Sequence, residues 1–403
     1  MTPPFRMAWT EPSSSGRPLL VIDLEIVAGL VVAAVVITTP LLAAPLGRLS
    51  SPFALLVALP PLALALEAFG WRDRLAGCLS RIRPAQLRLV TTYAAWVVTS
   101  ATLTLDVAAV AAASVGIAVA RDRDEERRWQ LGGAILGANV GSMLLPFSNL
   151  TNLILVSASG VGFAAYVALA FWPQVAAAVA VGALFAVRAH RSIGSGDARV
   201  ERMPSASKGR SDDGVRVAGG VALAGVASAV AVGLVGGNVA VPFAISAGLL
   251  AGLAITSGRL RVRDVVRSVP VAGLVVIGVA ALASGPIVLA TGLLPRPQAG
   301  IDGLVLALTV GGLLALAFNN LPAAACGAVW LARAHPATVV AFLIGTNVAA
   351  VATPHGSVAT ILARAVGGRH GVATPVSEYL RSAWRYAVVG TVAAIVALAI
   401  VAR

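Results

Sequence analysis

The chain has 403 residues, 58% of them hydrophobic and 12% charged, with a formal net charge of +13 and a mean hydropathy of +0.89. A water-soluble domain needs more polar surface than this, whereas in a bilayer lipid replaces water around the outer faces. The cations sit in short loops between apolar runs, so the positive-inside rule accounts for them and no nucleic-acid partner is implied.

In chain order, residues 1–18 are polar, rich in Pro and Ser, and read as a disordered cytoplasmic tail. The apolar run that follows is too long for a cleaved signal peptide and lacks a small-residue cleavage site. About 20 apolar residues cross a bilayer once. Segments 19–45, 52–70, 160–187, 215–236, 241–257, 268–292 and 383–402 fit that length. Segments 88–120, 130–158, 301–334 and 337–366 are roughly 30 residues each, too long for one straight crossing, and each carries polar or helix-breaking residues near its middle. The expected fold class is an all-α polytopic membrane protein of about nine to eleven spans.

Basic loops set the orientation. Arg72, Arg74, Arg81, Arg83 and Arg88 form one cluster; Arg121, Arg123, Arg127 and Arg128 form the next; others lie in 188–216, at Arg259–Arg267 and at Arg364–Arg385. Placing them all in the cytoplasm requires 88–120 to enter and leave on one side, as a re-entrant hairpin with its tip near Thr104 and Asp106. The same logic makes 301–334 a hairpin with its tip at Asn319 and Asn320, while 130–158 and 337–366 cross once each as broken helices. The expected organisation is therefore a first half, 19–187, with hairpin 88–120; a cytoplasmic linker, 188–214; and a second half, 215–403, with hairpin 301–334. The N-terminus lies inside and the C-terminus outside.

The two broken segments share a pattern without gaps. Gly137-Ala138-Asn139-Val140 matches Gly345-Thr346-Asn347-Val348, Pro146 matches Pro354, and Ser148-Asn149-Leu150 matches Gly356-Ser357-Val358. Upstream, Leu103 to Ala108 stands where Ala317 to Pro322 stands. The charge argument gives the two units opposite orientations, and inverted repeats with discontinuous helices characterise secondary transporters.

Polar groups at membrane depth are costly unless they line a cavity or pair. The candidate substrate or ion contacts are Asp106, Asn139, Ser148, Asn149, Thr151, Asn319, Asn320, Asn347, Thr353, His355 and Ser357. Their amides and hydroxyls offer donors and acceptors, Pro146 and Pro354 free backbone groups, and half-helix N-termini favour an anion. Asp106 is a carboxylate inside an apolar stretch: a proton or cation carrier, a substrate contact, or a helix cap. His355 is a pH-sensitive donor or a packing residue. Asn139, Ser148, Asn149 and Thr151 are expected to face Asn320, Asn347, Thr353 and Ser357 across a polar cavity. The seven Trp residues are expected to flank spans as an interfacial belt. Cys78 and Cys326 are single thiols outside any metal or disulfide motif, and no cofactor is implied.

Residues Asn139 to Leu153, Asn319-Asn320-Leu321-Pro322, Asn347 to Thr360 and Glu67-Ala68-Phe69-Gly70 resemble the arsenite permeases (arsenical-pump membrane proteins), a branch of the wider ion-transporter superfamily. The resemblance implies a scaffold domain and a transport domain with two re-entrant hairpins, working by elevator-like movement. It implies export of arsenite or antimonite coupled to protons or the membrane potential, with a partner ATPase in some members. Leu105-Asp106-Val107 departs from the Asn-Asp-Gly of that branch, and His355 is unusual after the proline.

The main reading is thus a secondary transporter of a small ion or oxyanion, arsenite or antimonite foremost, in the cell's inner (plasma) membrane. The alternatives are a permease or antiporter for another small anion (dicarboxylate, sulfate), or Na⁺/H⁺ exchange. Protons or Na⁺ are the candidate coupling ions, and a homodimer in membrane lipid is an expected assembly. A membrane-embedded enzyme would need clustered His, Asp or Glu, and the only deep candidates, Asp106 and His355, make no such motif. A passive channel sits poorly with the repeat.

Overall fold

The structure, a computed structural model, describes residues 54–403 except 56, 121–123, 194–211, 270–293 and 373. The expected tail 1–18 and spans 19–45 and 268–292 lie outside the described residues, apart from the first two residues of the latter span. Every regular element among the described residues is helical.

In chain order, α1 (Val57–Ala68) is followed by α2 (Trp71–Leu79), then by α3 (Ala85–Thr102) and α4 (Leu105–Val119), separated by a two-residue break. Next come α5 (Asp124–Gly141), a 3₁₀ turn at Pro146–Ser148, α6 (Leu150–Ser159) and the long α7 (Phe163–Ser192). They are followed by α8 (Asp212–Leu234), α9 (Ala240–Thr256) and α10 (Val262–Ser268). The closing series is α11 (Ile301–Ala317), α12 (Asn320–Trp330), α13 (Pro336–Asn347), a 3₁₀ turn at Ala349–Ala352, α14 (Val358–Arg369) and α15 (Val376–Val401). Among the described residues α7, α8 and α15 are long and apolar enough to cross a membrane unbroken. Helix α7 runs on to Ser192, so its last turn takes the first residues of the expected linker.

The chain divides into two compact units, one of residues 1–71 and 211–290, the other of 72–210 and 291–403. In the first unit α8 packs on α9. Gly225 of α8 makes room there, since a Cβ would run into the Ser246 hydroxyl. The Arg259 guanidinium lies 5.1 Å from the centre of the Phe69 ring.

Among the described residues the second unit contains every broken helix. Each of its four long polar-centred segments is two helices, and the sequence shows why each stops. Thr104 precedes α4 in extended geometry, and Asn319 precedes α12 at positive φ. Asn149 and Ser357 cap α6 and α14 with their side chains, accepting from Thr151 N (3.1 Å) and Thr360 N (3.4 Å). Pairing the caps sets Thr104 against Asn319, one position away from the pairing expected from sequence. Apolar helices slide easily past one another in an alignment, whereas a cap fixes the register.

Two close helix pairs repeat. Helix α3 lies on α5 at Gly137, where a Cβ would sit 2.9 Å from Trp96 Cβ and 3.0 Å from Tyr93 O. Helix α11 lies on α13 at Gly345, where a Cβ would sit 2.5 Å from both Gly312 N and Leu308 O. In a membrane such close approach replaces the hydrophobic drive. The second arms cross over: α4 packs on α14, and α12 packs on α6. Ala109 and Ala112 of α4, Ala134 of α5 and Ala363 of α14 belong to one core cluster and are fully buried. Trp96 and Trp330 are also buried, at 0% and 6% exposure, so these two pack the core and are not part of an interfacial belt.

Candidate functional site

Asn347, the last residue of α13, collects the first broken helix around itself. Its Oδ1 accepts from Asn149 Nδ2 (2.8 Å) and from Thr151 Oγ1 (3.1 Å). Its Nδ2 donates to Asn152 Oδ1 (2.8 Å), and Asn152 Nδ2 donates in turn to the carbonyls of Ser142 (2.7 Å) and Leu145 (3.2 Å). Those carbonyls are the ones freed where α5 ends and Pro146 intervenes. Ser148 turns onto the same two carbonyls, at 2.5 and 2.7 Å. All these side chains are at most 3% exposed. The cluster is uncharged and nearly self-satisfied. Asn149 and Thr151, expected to face Asn347 across a cavity, instead meet it in direct hydrogen bonds, each polar group answering the other's buried donor or acceptor.

The tip of the second split helix is fastened to the second break. Asn319 Nδ2 donates to His355 O (2.6 Å), and Asn320 N donates to Gly356 O (2.8 Å). Asn319 stands at φ 134° and ψ 159°, a region essentially reserved for glycine. Its Oδ1 accepts from Leu321 N (3.1 Å), so both ends of the amide hold the strained backbone in place. His355 is exposed, with Nε2 2.9 Å from Leu316 O. Gly356 admits no side chain, since a Cβ would collide with Ala350 O and lie 2.7 Å from Thr353 Oγ1.

Three polar atoms around this break are buried without a hydrogen-bond partner among the described residues: Asn320 Oδ1, Thr353 Oγ1 and Asn139 Oδ1. Asn139 lies within α5, where its Nδ2 donates to Ile135 O (2.8 Å) and to Thr360 Oγ1 of α14 (3.3 Å). Thr353 lies in the second break, Asn320 is joined to it at Gly356, and Asn139 is joined to it through Thr360, whose N–H bonds Ser357. Buried orphans of this kind cost free energy unless something pairs with them. Asp106 stands apart, half-buried in the first turn of α4 with no hydrogen-bond or ion-pair partner among the described residues. No group of His, Cys, Asp and Glu among the described residues could hold a metal ion.

Asn152 and Thr360 were absent from the sequence-derived set. The signal for both was helical spacing from a cap: Asn152 and Thr360 each follow their capping residue by three, Asn149 and Ser357, on the inner face of the new helix.

The sequence profile of the family described as "Citrate transporter" (CitMHS) matches residues 10–356. No curated protein matches the chain. Among solved structures, the YdaH transporter of Alcanivorax borkumensis is similar, at TM-score 0.52 and 15% identity over 95% of this chain and 97% of that one. At that identity the likeness concerns the fold, an all-α, multi-span membrane transporter fold. The resemblance to arsenite permeases is thereby carried only to the wider ion-transporter superfamily, and the other-anion alternative gains over arsenite. The protein is a multi-pass secondary active transporter of small solutes, and its work is transport, not catalysis. With residues 10–356 matched, the chain belongs to the CitMHS family of citrate transporters.

Proposed function

We propose that this protein carries a small carboxylate anion of the citrate class across the cell membrane, coupled to protons or Na⁺. The observation that carries the reading is the family match over 10–356. The unit of 72–210 and 291–403 is the moving part in this reading, and the unit of 1–71 and 211–290 is the scaffold. The repeated order of split helix and broken helix, with its paired glycines and caps, supports two inverted repeats whose split helices are re-entrant hairpins.

Within that unit the Asn149–Asn347 cluster acts as the fastening between the two broken helices. The substrate or its coupling cation docks at the second break, where Asn320, Thr353 and Asn139 each keep a buried oxygen open. A cation or a protonated ligand supplies the missing partners, and the N-termini of α12 and α14 add positive dipole ends for a carboxylate. Asp106, with no partner of its own among the described residues, is the proton carrier in this scheme. The experiment is uptake of labelled citrate into proteoliposomes under imposed proton or Na⁺ gradients.

A second reading, arsenite or antimonite export, keeps one observation in its favour: the cluster around Asn347 holds no Arg or Lys, which suits a neutral solute. Uptake of labelled arsenite by the same vesicles, without citrate uptake, selects it.

A further inference from the structure

An open groove of ≈ 320 Å³ lies along one face of α14, lined by Ile361, Arg364, Ala365 and Gly368, together with Pro354 of the second break and Thr374. Residues 361, 365 and 368 recur at helical spacing, so the groove follows the helix. Arg364 is fixed within it. Its Nη2 donates to Thr374 O (2.9 Å), and its guanidinium carbon lies 5.1 Å from the centre of the Tyr379 ring. The Tyr379 hydroxyl donates to Val351 O (2.8 Å), in the 3₁₀ turn that follows Asn347. One of five guanidinium N–H groups is therefore engaged, and no carboxylate lies within ion-pair reach among the described residues. A basic residue that only obeys the positive-inside rule needs no fixed position. This one is held by a carbonyl and a ring, which leaves its fork available to an oxyanion in the two-point geometry that guanidinium favours.

We propose that Arg364 and this groove form a second anion site that captures the carboxylate solute before it reaches the break at Pro354. This rests on the carboxylate reading above. A lipid phosphate offers the same chemistry, so the test must separate the two.

The test places one thiol in the groove, Ala365→Cys with Cys78→Ser and Cys326→Ala, in vesicles of neutral lipid. The probes are an anionic and a cationic methanethiosulfonate reagent, each normalised to its rate with a free thiol. The anionic reagent is expected to react about ten-fold faster, as a local cation steers an anion. Arg364→Gln should bring the two rates together, and Arg364→Lys should keep part of the preference. Citrate should slow the anionic reagent. Citrate transport should show a KM raised about ten-fold in Arg364→Gln, with kcat unchanged, because capture precedes translocation. Equal rates for the two reagents, or a thiol that neither reaches, overturns the site. Protection by anionic lipid and none by citrate makes it a headgroup site and overturns substrate capture. If the charge preference holds but the parent protein carries no citrate, the anion groove stands and the citrate reading fails.

Discussion

Asn149 and Asn347, 198 residues apart in the chain, share a hydrogen bond of 2.8 Å at complete or nearly complete burial. Each ends or begins a half-helix, so this one bond ties the first broken helix to the second. Asn347 also receives Thr151 and engages Asn152, which makes it the centre of the arrangement.

Removing either amide leaves buried partners unpaired, at about 1–3 kcal/mol each. Asn347→Ala should therefore destabilise the protein more than Asn149→Ala, since it orphans three side chains. The double variant should show a coupling of about 0.5–3 kcal/mol between them. Thermal unfolding in detergent of the two single variants and the double measures this. Simple additivity would mean that the bond contributes nothing to holding the halves together.

The glycine pair gives a sharper steric test. Gly345→Ala places a methyl 2.5 Å from the backbone of α11, whereas Gly132→Ala meets nothing within 4 Å. The first should separate α13 from α11 and lower the melting temperature. The second should be neutral or stabilising by about 0.5–1 kcal/mol, the usual gain over glycine in a helix. Equal responses at the two positions would show that close approach of α11 and α13 is not required.

Much of this was legible beforehand. The four overlong apolar segments, with polar residues near their middles, announced interruptions, read as two hairpins and two broken helices, and Pro146 and Pro354 marked the two breaks, because prolines act locally; that Asn149 and Ser357 are helix caps came only from the structure. The pairing of Asn149 with Asn347 was expected as two residues facing each other across a cavity. Their direct contact was not, since sequence carries no measure of how closely two helices approach. Gly137 and Gly345 were noted only as repeat mates, although they allow the close approach of α3 to α5 and of α11 to α13. Asn152 and Thr360 were missed because their importance depends on which face of a short helix turns inward. The role of the Arg364 groove rests on Thr374 and Tyr379, which no local motif links to it.

Asn319 tests whether strain at the second tip is matched to its hydrogen bonds. At φ 134° alanine is disfavoured and glycine is not. Asn319→Gly should keep the backbone and lose the two side-chain bonds, to His355 O and from Leu321 N, whereas Asn319→Ala should lose the backbone geometry as well. Expression and melting temperature should rank the natural residue first, glycine second and alanine last. An alanine variant as stable as the glycine one would count against the backbone assignment at this tip.

His370, after α14, gives a pH test. Partial burial, with Arg72, Arg127 and Arg369 nearby, holds its imidazole below the usual 6.5. As pH falls, the unfolded chain binds the proton before the folded one does. The stability tied to neutral His370 is thus complete above about pH 6.5 and is lost as pH drops through the lower folded value. The melting temperature should fall more steeply between pH 6.5 and 5 in the natural protein than in His370→Gln. Identical slopes would remove His370 as a source of the acid sensitivity.

The central claim is that a carboxylate solute passes the second break, where Asn320 and Thr353 keep buried oxygens open. Counterflow measures it most directly: vesicles loaded with unlabelled citrate, labelled citrate outside, and the natural protein compared with Asn320→Ala and Thr353→Ala. The account predicts rapid accumulation with the natural protein and a loss of about ten-fold or more in each variant, corresponding to about 1.4 kcal/mol or more of missing interaction, with both variants still folded. Counterflow that is absent for citrate and present for arsenite, or citrate counterflow untouched by both substitutions, would contradict it.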